Sequence, residues 1–186
     1  MKRLLFKILY NLQILRLFPQ FYFHYEVKKY IKKDDVVLDI GANQGIYTRI
    51  FSNSGTKVYA VEPISKFWSM LLKDSIVMPF ALGDDTKMVC LDCWRNTSGA
   101  YRISEKGIVA QMVNGSKIFK HLDKINFIKI DVEGSELPII EDMKDLILKH
   151  KPTILIETGV IDKVLEYLKG YKIKDTMFND YLLESQ

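Results

Sequence analysis

The sequence contains little cysteine, and its cysteines do not form the pattern of a structural zinc site. Cys90 and Cys93 are the two cysteines, and the second C-x-x-C pair that such a site requires is missing. Both fall in a predicted strand, where buried and reduced thiols are expected. We therefore predict a protein without a bound metal ion, in a reducing compartment such as the cytoplasm.

Long apolar runs are also missing. No uncharged stretch is long enough to span a bilayer. Lys7 and Arg16 interrupt the apolar stretch near the N-terminus and no small-residue cleavage site follows it, so a secretory signal is not expected. Internal repeats, low-complexity tracts and long linkers are absent too. These absences favour one globular domain, which we place at residues 34–186.

Positive charge is concentrated in residues 1–33. This segment holds eight Lys or Arg against Glu26 alone, whereas residues 34–186 hold 19 against 22 acids. Apolar residues at helical spacing predict an amphipathic helix, with a stripe formed by Met1, Leu4, Leu5, Ile8, Leu12 and Leu15. Three placements stay open for it: packing on its own domain, which we favour, pairing with a partner, or peripheral contact with a membrane through residues 1–25.

The glycines do not follow the G-x-G-x-x-G spacing of dinucleotide-binding turns. Instead, the apolar run 36–40 contains Asp39 and leads into Gly-Ala-Asn-Gln-Gly at residues 41–45. Gly41 and Gly45 allow a close approach of the backbone to a ligand, and ligands of open α/β sheets bind at the carboxyl ends of strands. Asp39 would repel a phosphate and attract a cation. The turn therefore indicates S-adenosyl-L-methionine rather than a dinucleotide.

A second acid follows the next apolar run. Glu62 ends the run 57–61 and precedes Pro63, which stops the strand. It lies about twenty residues beyond the glycine turn, the spacing at which an acid accepts hydrogen bonds from a ribose diol. Glu62 therefore strengthens the prediction of a nucleoside-containing cofactor.

Apolar runs alternate with helical patterns along most of the chain, which predicts an α/β fold with a parallel sheet covered by helices on both faces. We expect helices at 45–53, 65–73, 135–149 and 160–169. We expect strands at 35–40, 57–62, 76–81, 87–93, 126–131 and 153–157, and a C-terminal hairpin of 171–174 and 177–183. Residues 95–117 have the least regular pattern and are predicted to form a substrate loop.

The densest charged motif lies at residues 127–136. Alternation along the predicted strand places Lys129, Asp131 and Glu133 on one face, where burial would be costly unless the charges are paired or used. Glu157 ends the following strand. Asp39, Asp131 and Glu157 should then meet at one sheet edge, which is unfavourable unless a cation or a proton relay uses them. The three histidines, at 24, 121 and 150, are expected at the surface.

The chain resembles the FkbM family of S-adenosylmethionine-dependent methyltransferases over residues 34–158. The resemblance rests on residues 37–45, 61–63 and 81–84, and most specifically on the K-x-D-x-E-G-x-E pattern at 129–136. It implies a Rossmann-like fold whose seven-stranded sheet has a reversed final strand, and methyl transfer usually to an oxygen of a sugar or natural product. The family often carries a histidine where this sequence has Gly159.

Together these features predict an enzyme that transfers a methyl group to a hydroxyl of a glycan or small molecule. The candidate catalytic residues are Asp131, which is the first choice of base, Lys129, Glu133 and Glu157. The candidate cofactor-binding residues are Asp39, Gly41, Ala42, Asn43, Gly45, Glu62, Pro63, Phe80, Ala81, Leu82 and Asp131.

Two alternatives to this function stay open. One is a nucleic-acid methyltransferase, in which the basic segment 1–33 and the aromatic residues Trp94 and Tyr101, beside Arg95 and Arg102, would contact a strand. No nucleic-acid-binding motif supports it, so a nucleic-acid partner is not expected. The other is a non-catalytic scaffold that binds the cofactor.

Overall fold

A computed structural model of the protein describes residues 23–24, 26–93 and 101–186. Residues 1–22, which contain the predicted apolar stripe from Met1 to Leu15, lie outside the described residues, as do Trp94 and Arg95.

The described strands form two sheets. They are β1 (Val36–Ile40), β2 (Lys57–Val61), β3 (Ile76–Met78), β4 (Ala81–Gly83), β5 (Lys87–Cys93), β6 (Tyr101–Ser104), β7 (Ile108–Asn114), β8 (Phe127–Ile130), β9 (Thr153–Glu157), β10 (Tyr171–Met177) and β11 (Asp180–Ser185). The larger sheet has seven strands in the order β10-β11-β9-β8-β1-β2-β3, and the smaller has four in the order β4-β7-β5-β6.

The larger sheet confirms the expected Rossmann-like architecture. Strands β3, β2, β1, β8 and β9 are mutually parallel, so their carboxyl ends meet at one edge. The last strand, β11, lies between β9 and β10 and is antiparallel to both. The sheet is therefore mixed, with the reversed final strand that the resemblance implied.

Helices cover both faces of the larger sheet, as the alternating pattern predicted. The α-helices described between residues 36 and 186 are α1 (Ile46–Ser52), α2 (Trp68–Leu71), α3 (Gly115–Phe119), α4 (Glu136–His150) and α5 (Ile161–Tyr167). On one face, α4 and α5 bury a cluster with the side chains of Leu38, Ile128 and Ile154. On the other, Phe51 of α1 packs on Val58 and Phe127.

The smaller sheet corrects two expectations. The predicted strand 76–81 breaks at Pro79, which has no N–H to donate to a neighbouring strand, and the chain leaves the larger sheet to form β4. Residues 101–117, expected to be an irregular loop, form β6, β7 and the start of α3. Polar residues and a glycine at 104–107 obscured the two strands in the sequence, and β6 is only four residues long and partly exposed.

The described part of the basic N-terminal segment packs on the main domain. Phe23, Val27 and Ile31 are buried against Phe51 and Phe127. The boundary proposed at residue 33 stays a prediction, but these apolar side chains belong to the same core as α1 and β8. Within residues 23–24, 26–93 and 101–186, every helix is too short or too polar to traverse a bilayer.

Candidate active site

The site begins at the turn that follows β1. Gly41 and Ala42 both donate backbone hydrogen bonds to the carbonyl oxygen of Val61, at 3.0 and 3.1 Å, which ties the turn to the end of β2. Gly41 (φ +77°) and Gly45 (φ +74°) adopt left-handed conformations that favour glycine. A Cβ at Gly45 would lie 2.7 Å from a methyl group of Leu71. The absence of a side chain at Gly45 therefore allows the turn to pack closely on α2. This packing requires a glycine here whether or not a ligand also contacts the turn.

Glu62 organises the ends of β1 and β2. Its Oε2 accepts a hydrogen bond of 2.8 Å from the backbone N–H of Asn43, and its Oε1 accepts one of 2.7 Å from the N–H of Ile64. Trp68 Nε1 donates to the Glu62 carbonyl oxygen at 2.7 Å. The carboxylate is buried, and burial raises its pKa against the opposing effect of the two N–H donors. Glu62 is thus fixed in position before any ligand binds.

A cleft, called here the main cleft, opens beside this turn. Ile64, Phe67, Leu82 and Leu91 give it an apolar wall, and the motif that follows β8 gives it a polar one. Of the predicted site residues, the lining includes Gly41, Asn43, Glu62, Pro63, Ala81, Leu82, Asp131 and Glu133. Asp39, Ala42, Gly45 and Phe80 are not among the lining residues.

The main cleft has the chemistry that an adenosine-containing cofactor needs. Asn43 lines it, and the buried Oδ1 atom of its side chain has no hydrogen-bond partner among the described residues. A buried oxygen without a donor is costly, so this atom fits a ligand that donates an N–H or O–H. The carboxylate of Glu62 fits a diol, and the apolar wall fits a flat base.

Asp39 lies beneath the turn rather than at its mouth. Its carboxylate is fully buried, with Oδ2 accepting a hydrogen bond of 2.5 Å from Thr48 Oγ1. Burial raises its pKa, and the neighbouring Lys129 ammonium opposes that rise. Lys129 Nζ lies 3.8 Å from Asp39 Oδ1. Asp39 therefore supplies negative charge to an internal ion pair.

Lys129 is the cation at the centre of the converging acids. Its buried Nζ donates to the Gly41 carbonyl oxygen at 3.0 Å and lies 3.1 Å from Asp131 Oδ2. It also lies 5.3 Å from the ring centroid of Tyr47. Burial would lower the pKa of Lys129, but the charges of Asp131 and Asp39 outweigh burial and raise it. The predicted convergence of acids is thus compensated by an internal lysine.

A second cavity, the polar pocket, adjoins the main cleft. Both are lined by Asp131 and Glu133. The other residues of the polar pocket are Arg102, Gly134, Glu136, Glu157, Thr158, Gly159 and Asn179. Glu133 adopts a positive φ of +57°, which is uncommon for a residue with a Cβ and often marks a functional position.

The helix α4 begins directly after this motif. Ser135 lies at its N-cap without a side-chain capping bond, while the Glu136 carboxylate accepts a hydrogen bond of 2.8 Å from the Gly134 N–H.

Glu157 and Asp180 form the outer part of the acid cluster. They are directly paired residues of the antiparallel strands β9 and β11, and both line a small pocket with Lys129 and Asp131. Glu157 is exposed at the end of β9, but partial burial of its carboxyl group raises its pKa to about 7, with help from the charges of Asp131, Asp180 and Glu133. Burial likewise raises the pKa of Asp180 to about 6, with help from Asp131.

Sequence reasoning missed several residues of this region. Asp180 and Asn179 reach it because β11 folds back beside β9, and no local pattern specifies that pairing. Tyr47 was missed because no local pattern specifies that α1 brings its ring beside Lys129. His24 was expected at the surface but is half-buried, and the centroid of its ring lies 4.6 Å from that of Tyr47. Burial lowers the pKa of His24. The described residues contain no cluster of three or more His, Cys, Asp or Glu side chains arranged to hold a metal ion.

Comparison with known proteins identifies the fold and the family. The model of the methyltransferase FkbM domain matches residues 39–173. The hexuronic acid methyltransferase AglP of Haloferax volcanii is 26% identical over 144 residues, which cover 71% of this chain and 60% of AglP. This chain therefore spans less than two thirds of the length of that relative.

Solved structures share the fold. The methyltransferase FkbM of Methylobacillus flagellatus KT superimposes with a TM-score of 0.60 at 18% identity, covering 84% of this chain and 44% of its own. A protein of Streptococcus mutans assigned to the methyltransferases, in complex with SAH, superimposes with a TM-score of 0.52 at 12% identity, covering 90% and 98%. Because the family model covers well over half of the sequence, this chain belongs to the FkbM methyltransferase domain family.

Proposed function

We propose that this protein is an S-adenosylmethionine-dependent O-methyltransferase that acts on a hydroxyl group of a sugar. The observation that carries the proposal is the junction of two cavities at Asp131 and Glu133. One cavity has an apolar wall facing a buried carboxylate and an amide oxygen, and the other is polar. A nucleoside cofactor and a hydroxylated acceptor would meet at that junction.

The main cleft would hold the cofactor through three groups. Glu62 would accept hydrogen bonds from the ribose hydroxyls, and Asn43 Oδ1 would accept one from a donor on the ligand. Ile64, Phe67 and Leu82 would enclose the adenine. When bound, S-adenosylmethionine supplies a methyl group carried on a positively charged sulfur.

The predicted catalytic residues would take separate roles. An alcohol is a poor nucleophile while protonated, so a base with a pKa near neutral pH should help the transfer by accepting the hydroxyl proton. Glu157, with a pKa raised to about 7, suits the role of proton acceptor. Asp131, the base favoured from the sequence, lies at the junction and would orient the hydroxyl. Lys129 would keep Asp131 in place through their 3.1 Å contact.

The sugar as acceptor draws support from the relative in Haloferax volcanii, whose name specifies a hexuronic acid. The relative is distant, so it supports the class of reaction more than the exact substrate. A nucleic-acid acceptor has less support, because Asp131, Glu133 and Glu157 line the polar pocket and would repel phosphates. The other alternative, a non-catalytic scaffold, would bind the cofactor but transfer its methyl group to no acceptor.

Calorimetric titration with S-adenosylmethionine and S-adenosylhomocysteine tests the cofactor site first. We expect saturable binding of both, followed by methyl transfer from labelled cofactor to a member of a glycan panel. Binding without transfer to any glycan would support the scaffold alternative. No binding by the intact chain would contradict the proposed function.

Contact of residues 1–25 with a membrane stays a separate prediction. It rests on the basic and apolar residues of that segment. Removing residues 1–20 should abolish co-sedimentation with anionic liposomes. Equal binding by the full-length and truncated chains would contradict it.

A further inference from the structure

We propose that Asp180 is a positioning residue for methyl transfer, which acts by controlling whether the carboxyl group of Glu157 carries a proton. This inference rests on the proposed function, in which Glu157 accepts the proton of the acceptor hydroxyl. Asp180 lies beyond residues 39–173, which the family model matches, so membership of the family does not by itself assign it a role. It reaches the site through the pairing of β11 with β9.

This pairing places the two carboxyl groups side by side. Asp180 and Glu157 are directly opposite each other in the antiparallel strands, so their side chains lie on the same face of the sheet, with Cβ atoms about 4.5–5.5 Å apart. Leu182 and Leu155, the pair two residues further along, belong to the apolar cluster beneath α1. Like charges directly opposite each other are destabilising, which favours a proton on one of the two acids.

The small pocket contains one lysine for several acids. Among its described lining residues, Lys129 is the cation, and Asp131, Glu157 and Asp180 are the acids. The ammonium group of Lys129 lies 3.1 Å from Asp131 Oδ2 and 3.8 Å from Oδ1 of the buried Asp39. Its charge is therefore already engaged by two carboxylates, and the two outer acids are compensated less.

The order in which the two outer acids lose their protons follows from this arrangement. Burial raises the pKa of Asp180 to about 6, whereas partial burial and the charges of Asp131, Asp180 and Glu133 raise that of Glu157 to about 7. As pH rises, Asp180 ionises first, and its negative charge then opposes the ionisation of Glu157.

Other groups face Glu157 from the elements around it. The charged or titratable residues that line its two cavities, besides Asp180, come from α1, β6, β8, the motif that follows β8 and the start of α4: Tyr47, Arg102, Lys129, Asp131, Glu133 and Glu136. A substitution of Asp180 leaves all of these side chains in the protein. The change in the titration of Glu157 therefore measures the effect of Asp180.

Control by Asp180 matters because a general base must meet two requirements. It must be ionised at the working pH, and it must hold a proton firmly enough to take it from a hydroxyl group. A carboxylate with an ordinary pKa meets the first requirement but is a weak base. The charge of Asp180 strengthens Glu157 as a base while leaving it partly ionised near neutral pH.

Direct titration of Glu157 tests the inference. Its pKa is measured by carbon-13 NMR of the side-chain carboxyl groups in the full-length protein, and its resonance is identified by its loss in Glu157→Gln. Asp180→Asn removes the charge and keeps the size, and should lower the pKa of Glu157 by roughly 0.5–1. Asp180→Glu keeps the charge and should leave that pKa raised. Asp145→Asn, at an exposed acid of α4 that is not among the lining residues of the three cavities, should change nothing.

The pH dependence of methyl transfer provides a second readout. It is measured with S-adenosylmethionine and a glycan that accepts the labelled methyl group. Because Glu157 must be ionised to accept a proton, Asp180→Asn should move the acidic limb of the pH–rate profile to lower pH by about the same amount as the pKa. A role of Asp180 only in holding β11 would lower stability without moving this limb.

The inference and the proposed function fail in different ways. An unchanged pKa of Glu157 in Asp180→Asn, or an equal fall in Asp180→Glu, would overturn the inference, and methyl transfer to a glycan would still stand. A lowered pKa with an unmoved acidic limb would overturn the role of Asp180 in transfer. A lowered pKa without methyl transfer to any glycan would support control by Asp180 and contradict the proposed function.

The wild-type titration decides the question if Asp180→Asn does not fold. Two interacting acids lose their protons in two coupled steps. The resonance of Glu157 should therefore shift once as Asp180 ionises and again as Glu157 itself ionises. A single step would overturn the inference.

Discussion

The carbonyl oxygen of Asp131 occupies the space that a side chain on Gly41 would need. A Cβ built on Gly41 would lie 1.9 Å from that oxygen, and Gly41 has a φ of +77°. The two sequence motifs are therefore in direct backbone contact, reinforced by the hydrogen bond from Lys129 Nζ to the Gly41 carbonyl oxygen. The first glycine of the turn is needed for packing between β1 and β8, independently of any ligand.

Gly41→Ala should be strongly destabilising. The left-handed conformation costs an alanine about 1–2 kcal/mol, and the clash with a backbone oxygen adds roughly 1–3 kcal/mol as the two segments separate. Urea denaturation measures the free energy of unfolding. Gly134→Ala is the matched control, because its Cβ would meet nothing within 4 Å while its φ is also positive. Equal losses in the two variants would show that the contact with Asp131 adds nothing.

Lys129→Met should destabilise the protein by about 3–5 kcal/mol, because it leaves the buried carboxylate of Asp39 without its cation. Denaturation at neutral pH measures the loss. Adding Asp39→Asn should restore part of the stability by removing the unpaired charge. Lys172→Met, at an exposed position, is the control. A double variant as unstable as the sum of its single variants would argue against the ion pair.

Glu62→Ala should mainly weaken cofactor binding. The variant removes the proposed ribose acceptor and frees the N–H groups of Asn43 and Ile64, so we expect affinity for S-adenosylhomocysteine to fall by a factor of about 10–100. Calorimetry measures it. Glu105→Ala, an exposed acid, should bind normally. A folded Glu62→Ala protein with unchanged affinity would remove Glu62 from the site.

Asp131→Asn should mainly lower turnover. Asp131 lines the main cleft, the polar pocket and the small pocket, so its proposed contact is with the acceptor hydroxyl at their junction. We expect the rate constant for methyl transfer to fall by a factor of about 100, because the hydroxyl loses its alignment with the methyl group, with affinity for S-adenosylhomocysteine retained. Full activity in this variant would exclude the role.

Glu157→Gln should change the pH dependence of stability. The pKa of Glu157 is raised to about 7 in the folded protein, above its ordinary value near 4.3. The folded state therefore binds more protons than the unfolded state between these values, and the free energy of unfolding falls as pH rises from about 4 to 7. Glu157→Gln should reduce that fall, measured by denaturation at several pH values. Asp180, with a pKa raised to about 6, should still contribute to the pH dependence in the variant. If the free energy of unfolding depends on pH identically in wild type and variant, the raised pKa of Glu157 is contradicted.

Much of the larger sheet was predictable because its signals are local. The runs around Leu38, Ile128 and Ile154 are apolar throughout, as expected for strands buried on both faces. Parallel strands bring their carboxyl ends to one edge, which is why Asp131 and Glu157 could be placed together. Asp39 was expected to attract a cationic ligand, because the alternation of a strand does not reveal that Thr48 and Lys129 enclose its carboxylate.

The sequence alone determined the alternation of strands and helices, the family motifs, and the position of Asp131 and Glu157 at the ends of their strands, since each depends on residues close together in the chain. Only the tertiary structure decided that Pro79 directs the chain into a second sheet, that β5 and β6 wall the main cleft, and that Asp180 lies opposite Glu157. These features depend on pairings between distant segments. Many registers are compatible with the same apolar pattern, and the packing of the whole core selects one of them.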